Sequence, residues 1–246
     1  MKSDIKKQFD EAKEDYNQVG GWTAFISGQW MWHLIHKAFA NYWESADVEY
    51  FETKYQTKDK SKLSQKLIAA AAKNSTMLGG VTGAVISVDE ISAIVTGGGG
   101  GVMLPAKISI AAAALGAEAI LMIRFQLELV ANLAKLYGVP IDTNDPEDIL
   151  VIFAFAFGGT AADTAVKSGM KVGGKLAGGH AKAAYNNQVL AALKSIAAKI
   201  GVKILQRNTL KYAIPIASIG IGSGWNYAAT KAVGKIAIKH FEQRLD

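Results

Sequence analysis

The chain of 246 residues contains no cysteine, four prolines, four histidines and only three arginines, and between Thr164 and Phe241 it has no aspartate or glutamate. Each shortage removes a class of function. Without cysteine there are no disulfides, no thiolate metal sites and no cysteine nucleophile, and a reducing, cytoplasmic setting is expected. Arginine is the side chain that forks onto bases and phosphates. Its restriction to Arg124, Arg207 and Arg244 argues against a nucleic-acid partner, although the pI is near 9.3. Met1 to Tyr16 is strongly charged and lacks an apolar core segment, so no secretory signal is expected there. Long apolar runs are also missing. Asn74 to Val88 and Ile91 to Ala106 carry no charge but fall short of the about 20 residues that a simple membrane span needs. Tyr212 to Thr230 is interrupted by Pro215, Gly220, Gly222, Gly224 and Asn226. No period-two series bounded by hairpin signals occurs. The expected fold class is therefore all-α, a multi-helix bundle with glycine-rich apolar helices and no substantial sheet.

Half of the residues are hydrophobic, enough for a sizeable core. The net charge of +6 is unevenly placed, since residues 1–163 are net acidic and the acid-free tract holds twelve lysines and arginines. Most of those cations recur every four residues. Lys167, Lys171 and Lys175 form one series, Lys199, Lys203, Arg207 and Lys211 a second, and Lys231, Lys235 and Lys239 a third. That spacing lines each series along one side of a helix. Like charges in that register repel by about a few tenths of a kcal/mol per pair, so something negative is expected opposite them. Lysines alternating with Ala, Gly and Ile read as basic amphipathic helices for a membrane surface, not as a nucleic-acid groove interleaved with stacking aromatics.

Two regions are expected: an N-terminal polar helix with an aromatic-rich arm over residues 1–62, and a helical domain over 63–246. Residues 3–15 read as a polar surface helix whose apolar positions are Ile5, Phe9 and Ala12. Between Tyr16 and Tyr55 stand Trp22, Phe25, Trp30, Trp32, Phe39, Tyr42, Trp43, Tyr50 and Phe51, an aromatic segment that fits either a core or an interface. Within it, Trp22, Trp30 and Trp32 are candidate interfacial anchors. Lys54 to Lys66 reads as a solvated loop or helix start. The firmest local expectation is a helix from about Pro105 to Tyr137, stopped by Gly138 and Pro140, with Arg124 and Glu128 as an i, i+4 pair. A further helix is expected from the capping sequence Asp145-Pro146-Glu147-Asp148 through Phe157.

Motifs that would carry chemistry fail on inspection. Gly169 to Lys175 follows a phosphate-binding loop for seven positions, but Leu176 replaces the hydroxyl that would hold magnesium. Gly220-Ile221-Gly222-Ser223-Gly224 is neither a dinucleotide fingerprint nor a nucleophile elbow. His33 and His36 lie one turn apart without a convergent third ligand, so neither a metal nor a cofactor is expected. Asp89-Glu90, between apolar segments, reads as a helix cap or a lysine partner, with a functional carboxylate, as in an enzyme acting on lipid with Asp89, Glu90 or His33 in its site, as the alternative.

The closing stretch Ile214-Pro215, Gly220, Gly222, Gly224 and Asn226, followed by Ala232 to Phe241, resembles the end of the EcsC family. Arg124 and Glu128, then Tyr137-Gly138, Asp142 and Pro146-Glu147, resemble that family's central helix and its exit. The similarity runs from about Lys66 to Phe241. It implies a helical, membrane-proximal bacterial protein whose family is named for a neighbour of an ABC transporter, and it nominates no reaction or catalytic residue. The motif positions carried over are Tyr137, Gly138, Pro215, Gly220, Gly224 and Asn226. The resulting expectation is a non-enzymatic, peripherally membrane-associated protein. It would bind anionic lipid through Lys194, Lys199, Lys203, Arg207 and Lys211, helped by Lys167, Lys171 and Lys175, with insertion or permeabilisation as a stronger version. The alternative is a soluble adaptor for an acidic protein such as a transporter subunit. Because Lys231 to Lys239 falls inside the closing motif, that last series is set aside as structural.

Overall fold

The computed structural model describes residues 2–28, 40–83, 106–142 and 218–243. In chain order the described helices are α1 (Lys2–Gln18), α2 (Gly21–Ser27), α3 (Ala40–Ser45), α4 (Val48–Tyr55), α5 (Lys60–Gly83), α6 (Ala106–Tyr137) and α7 (Ser218–Gln243). The fold is all-α, and no strand occurs among the described residues.

Helix α6 is the hub. Its 32 residues make a rod of about 48 Å, and every other described helix packs on it. From Ala114 to Tyr137 only Glu128 is exposed. A helix apolar on nearly all sides can be stable in water only when neighbours cover each side, which is the arrangement found. The expected stop is observed in detail. Gly138 takes a φ of +73°, Val139 N–H donates to the Ala134 carbonyl at 2.9 Å, and Gly138 N–H donates to the Lys135 carbonyl at 3.1 Å. These two bonds are the paired closure of a glycine-capped helix end, and they satisfy carbonyls that would otherwise be orphaned.

Helices α5 and α7 lie along α6 and against each other. Ser75 meets Asn226 while Ser64 and Glu242 both meet Tyr137, so α5 runs antiparallel to the other two. The α5–α7 approach is close because Gly234 faces Ile68, where a methyl group would overlap the isoleucine side chain. The start of α5 is set by Asp59, whose carboxylate accepts from Lys62 N–H at 3.1 Å. The charged stretch Lys54 to Lys66 thus contains the end of α4, a short loop and the beginning of α5.

The N-terminal polar helix is not a free surface arm. Phe9, Ala12 and Tyr16 are buried in the same core as α6, and the Tyr16 ring fills the notch above Gly116. Arg124 corrects a second expectation. Its guanidinium pairs with the buried Asp15 of α1, not with Glu128 one turn along its own helix. In the aromatic segment, Tyr42, Trp43, Phe51 and Tyr55 pack against the core, and Tyr50 is exposed. The expected helix from Asp145, the His33/His36 pair, Asp89-Glu90 and the glycine series around Gly169 to Lys175 lie outside the described residues. Among the described residues, no helix is long and apolar enough to cross a membrane.

Candidate functional site

Two features stand out from the packing: a polar cluster buried where α5, α6 and α7 meet, and a basic face on the outside of α7. In the cluster, Asn226 Nδ2 donates to the Ser75 carbonyl at 3.2 Å and to Glu118 Oε1 at 3.3 Å. Thr230 Oγ1 donates to Ser75 Oγ at 2.9 Å, and Ser75 Oγ donates back to the Ala71 carbonyl at 3.0 Å. Ser75, Glu118 and Thr230 are wholly buried and Asn226 nearly so. Buried polar groups are tolerated at this depth only when they are partnered, and here each side chain finds its partner on a different helix or on the preceding turn. The cluster therefore fastens the first half of α7 to α5 and α6. Its second half is held by apolar contacts of Val233, Ala237 and Phe241.

Tyr137 makes the corresponding junction at the other end. Its hydroxyl donates to Glu242 Oε1 at 3.4 Å and accepts from Ser64 Oγ at 3.5 Å, its ring stands 6.3 Å from Phe241, and Lys60 Nζ lies 5.0 Å from its centroid. The motif residues Tyr137 and Asn226 thus sit at the two ends of the α5–α6–α7 contact, and Gly138 caps α6. Gly220 and Gly224 lie within α7, Gly224 on its exposed side. Pro215 lies outside the described residues.

The outer face of α7 follows from the same helical wheel. With 100° per residue, the buried Asn226, Thr230, Val233, Ala237 and Phe241 gather on one side, and Lys231, Lys235 and Lys239 lie opposite. Lys235 and Lys239 are exposed and Lys231 is half-buried, with the exposed Gly224, Ala228 and Ala232 beside them. The row extends about 12 Å along the helix. Among the described residues, no carboxylate forms an ion pair with any of the three. The series set aside as structural thus shares its helix with the packing positions but points away from them. On α5, Lys66 and Lys73 are exposed.

Tyr227 completes this face. It is 40% exposed, and Lys231, one turn on, holds its ammonium 5.1 Å from the ring centroid. The same device recurs on α4, where Lys54 Nζ stands 5.1 Å from the centroid of the exposed Tyr50 and 3.2 Å from its hydroxyl. Sequence reasoning nominated tryptophans and missed Tyr227. The usable signal was a tyrosine four residues before a lysine on the polar side of a helix.

Of the other nominated anchors, Trp22 belongs to α2 but its side chain lies outside the described residues, as do Trp30 and Trp32. Lys167, Lys171, Lys175, Lys194, Lys199, Lys203, Arg207 and Lys211 also lie outside them. No group of His, Cys, Asp or Glu with metal-holding geometry occurs among the described residues. No family model, curated protein or solved structure matches this chain.

Proposed function

We propose that this chain is a non-enzymatic, peripherally membrane-associated protein that docks on anionic lipid surfaces through lysine rows on its helices. The observation that carries the reading is the outer face of α7, where Lys231, Lys235 and Lys239 stand in register, opposite the packed face and without carboxylate partners among the described residues. Holding three like charges on one helix face costs energy in isolation, and an anionic bilayer reverses the sign of that cost. The acid-free composition of residues 164–241 extends the same chemistry to Lys194, Lys199, Lys203, Arg207 and Lys211. Each lysine near an anionic surface contributes about 1 kcal/mol, so a row of this size gives measurable, salt-sensitive binding. The EcsC-like motif supports a membrane-proximal setting. Within this reading, the motif residues Tyr137 and Asn226 build the platform and the lysines meet the lipid.

Flotation of the purified chain with neutral and with anionic vesicles, at low and at high salt, tests the proposal. Co-flotation with anionic vesicles at low salt, reduced at high salt, is the expected result. Equal recovery with both lipids, or recovery with neither, would sink it. Dye release recorded in the same samples separates docking from permeabilisation.

A further inference from the structure

We infer that α7 meets the bilayer while still fastened to α5 and α6, as a rigid helix lying flat on the headgroups with Tyr227 as its anchor. This rests on the membrane reading above and decides between docking and insertion for this helix. Three observations lead to it. The outer face offers Gly224, Ala228, Ala232 and lysine ammonium groups, which suit a headgroup layer and supply little that hydrocarbon would hold. The inner face is committed: Asn226 and Thr230 complete a cluster with Ser75 and Glu118 in which leaving the core would strip partners from buried polar atoms. Tyr227 offers an exposed aromatic ring with Lys231 drawn over it, so one amphipathic ring and one ammonium sit together at the start of the row. Tyrosine with a neighbouring lysine is suited to the boundary between water and acyl chain. The occupant is an anionic lipid surface: the lysine ammonium groups supply the charge complement, and the small residues Gly224, Ala228 and Ala232 beside them let a flat headgroup layer approach.

The chain has no cysteine, which allows a clean covalent test. Ser75 Oγ and Thr230 Oγ1 are 2.9 Å apart, so the double substitution Ser75→Cys with Thr230→Cys places two thiols where a disulfide can tie α7 to α5. Flotation with vesicles containing anionic phosphatidylserine is then compared for the oxidised and reduced forms of the full chain. Recovery of the oxidised form within about twofold of the reduced form is expected. A loss of about tenfold or more on oxidation, with the reduced form still binding, overturns docked binding and leaves the membrane reading standing. Failure of the unsubstituted chain to bind overturns both.

Tyr227→Ala supplies a second arm that does not disturb the core. Removing the ring should lower binding about fivefold at high salt, where the lysines are screened, and change it less at low salt. An unchanged high-salt affinity would remove Tyr227 from the role of anchor.

Discussion

Replacing Asn226 tests whether the buried cluster fastens α7 by hydrogen bonding or merely by filling space. Asn226→Ala removes two bonds at once, one to the Ser75 carbonyl at 3.2 Å and one to Glu118 Oε1 at 3.3 Å. A buried bond to a neutral acceptor contributes about 1 kcal/mol and one to a carboxylate about 1.5–3 kcal/mol, so the expected loss is about 2.5–4 kcal/mol. Asn226→Asp keeps the shape but turns the donor into an oxygen that faces both the Ser75 carbonyl and Glu118. If hydrogen bonding is what matters, this isosteric change should cost more than truncation to alanine, since it adds oxygen–oxygen repulsion to the lost bonds. Equilibrium urea unfolding followed by circular dichroism gives the comparison, with a constant slope confirming that the same surface unfolds in each variant. An Asn226→Asp chain within about 0.5 kcal/mol of the unsubstituted one, or more stable than Asn226→Ala, would refute the assigned network.

Three further outcomes follow from the packing. Gly234→Ala should destabilise by about 1–3 kcal/mol because the new methyl overlaps Ile68, and adding Ile68→Ala should recover much of the loss in the same unfolding assay. Asp15→Asn takes the charge partner from the partly buried Arg124 guanidinium and should cost about 3 kcal/mol, whereas the double change Asp15→Leu with Arg124→Met should cost far less; equal losses would contradict the pairing. Burial raises the Tyr16 hydroxyl well above its ordinary value of 10.0, so its contribution to stability is complete below pH 10 and is lost as pH climbs beyond it. Absorbance at 295 nm should therefore show Tyr16 ionising only together with alkaline unfolding, and comparison with Tyr16→Phe isolates its signal.

The features legible from residue spacing were the local ones. The helix expected over about 105–137 is found at Ala106–Tyr137, because an uninterrupted apolar run and a Gly138 stop are both written within one segment. Asn226 and Tyr137 were also picked out, through a resemblance that named the positions without their partners. What escaped was pairing across the chain. Arg124 has Glu128 one turn away in sequence, yet the fold brings Asp15 to it from α1, and the low apolar content of α1 hid the fact that Phe9, Ala12 and Tyr16 form a stripe narrow enough to dock. The notch for the Tyr16 ring depends on Gly116, a hundred residues away. Likewise Lys231, Lys235 and Lys239 were set aside as structural because they fall within the stretch that resembles the EcsC closing motif. Helical geometry separates the buried positions and the lysines by half a turn, which leaves one side to the core and the other exposed.

The central claim is that the basic outer face of α7 binds anionic bilayers, and its most direct measurement compares the full chain with the triple substitution Lys231→Gln, Lys235→Gln and Lys239→Gln. Partitioning onto phosphatidylserine-containing vesicles is measured at low salt for both. At about 1 kcal/mol per lysine, the triple variant should bind about a hundredfold more weakly, with an unchanged unfolding curve. A triple variant that binds as tightly as the unsubstituted chain would contradict the account.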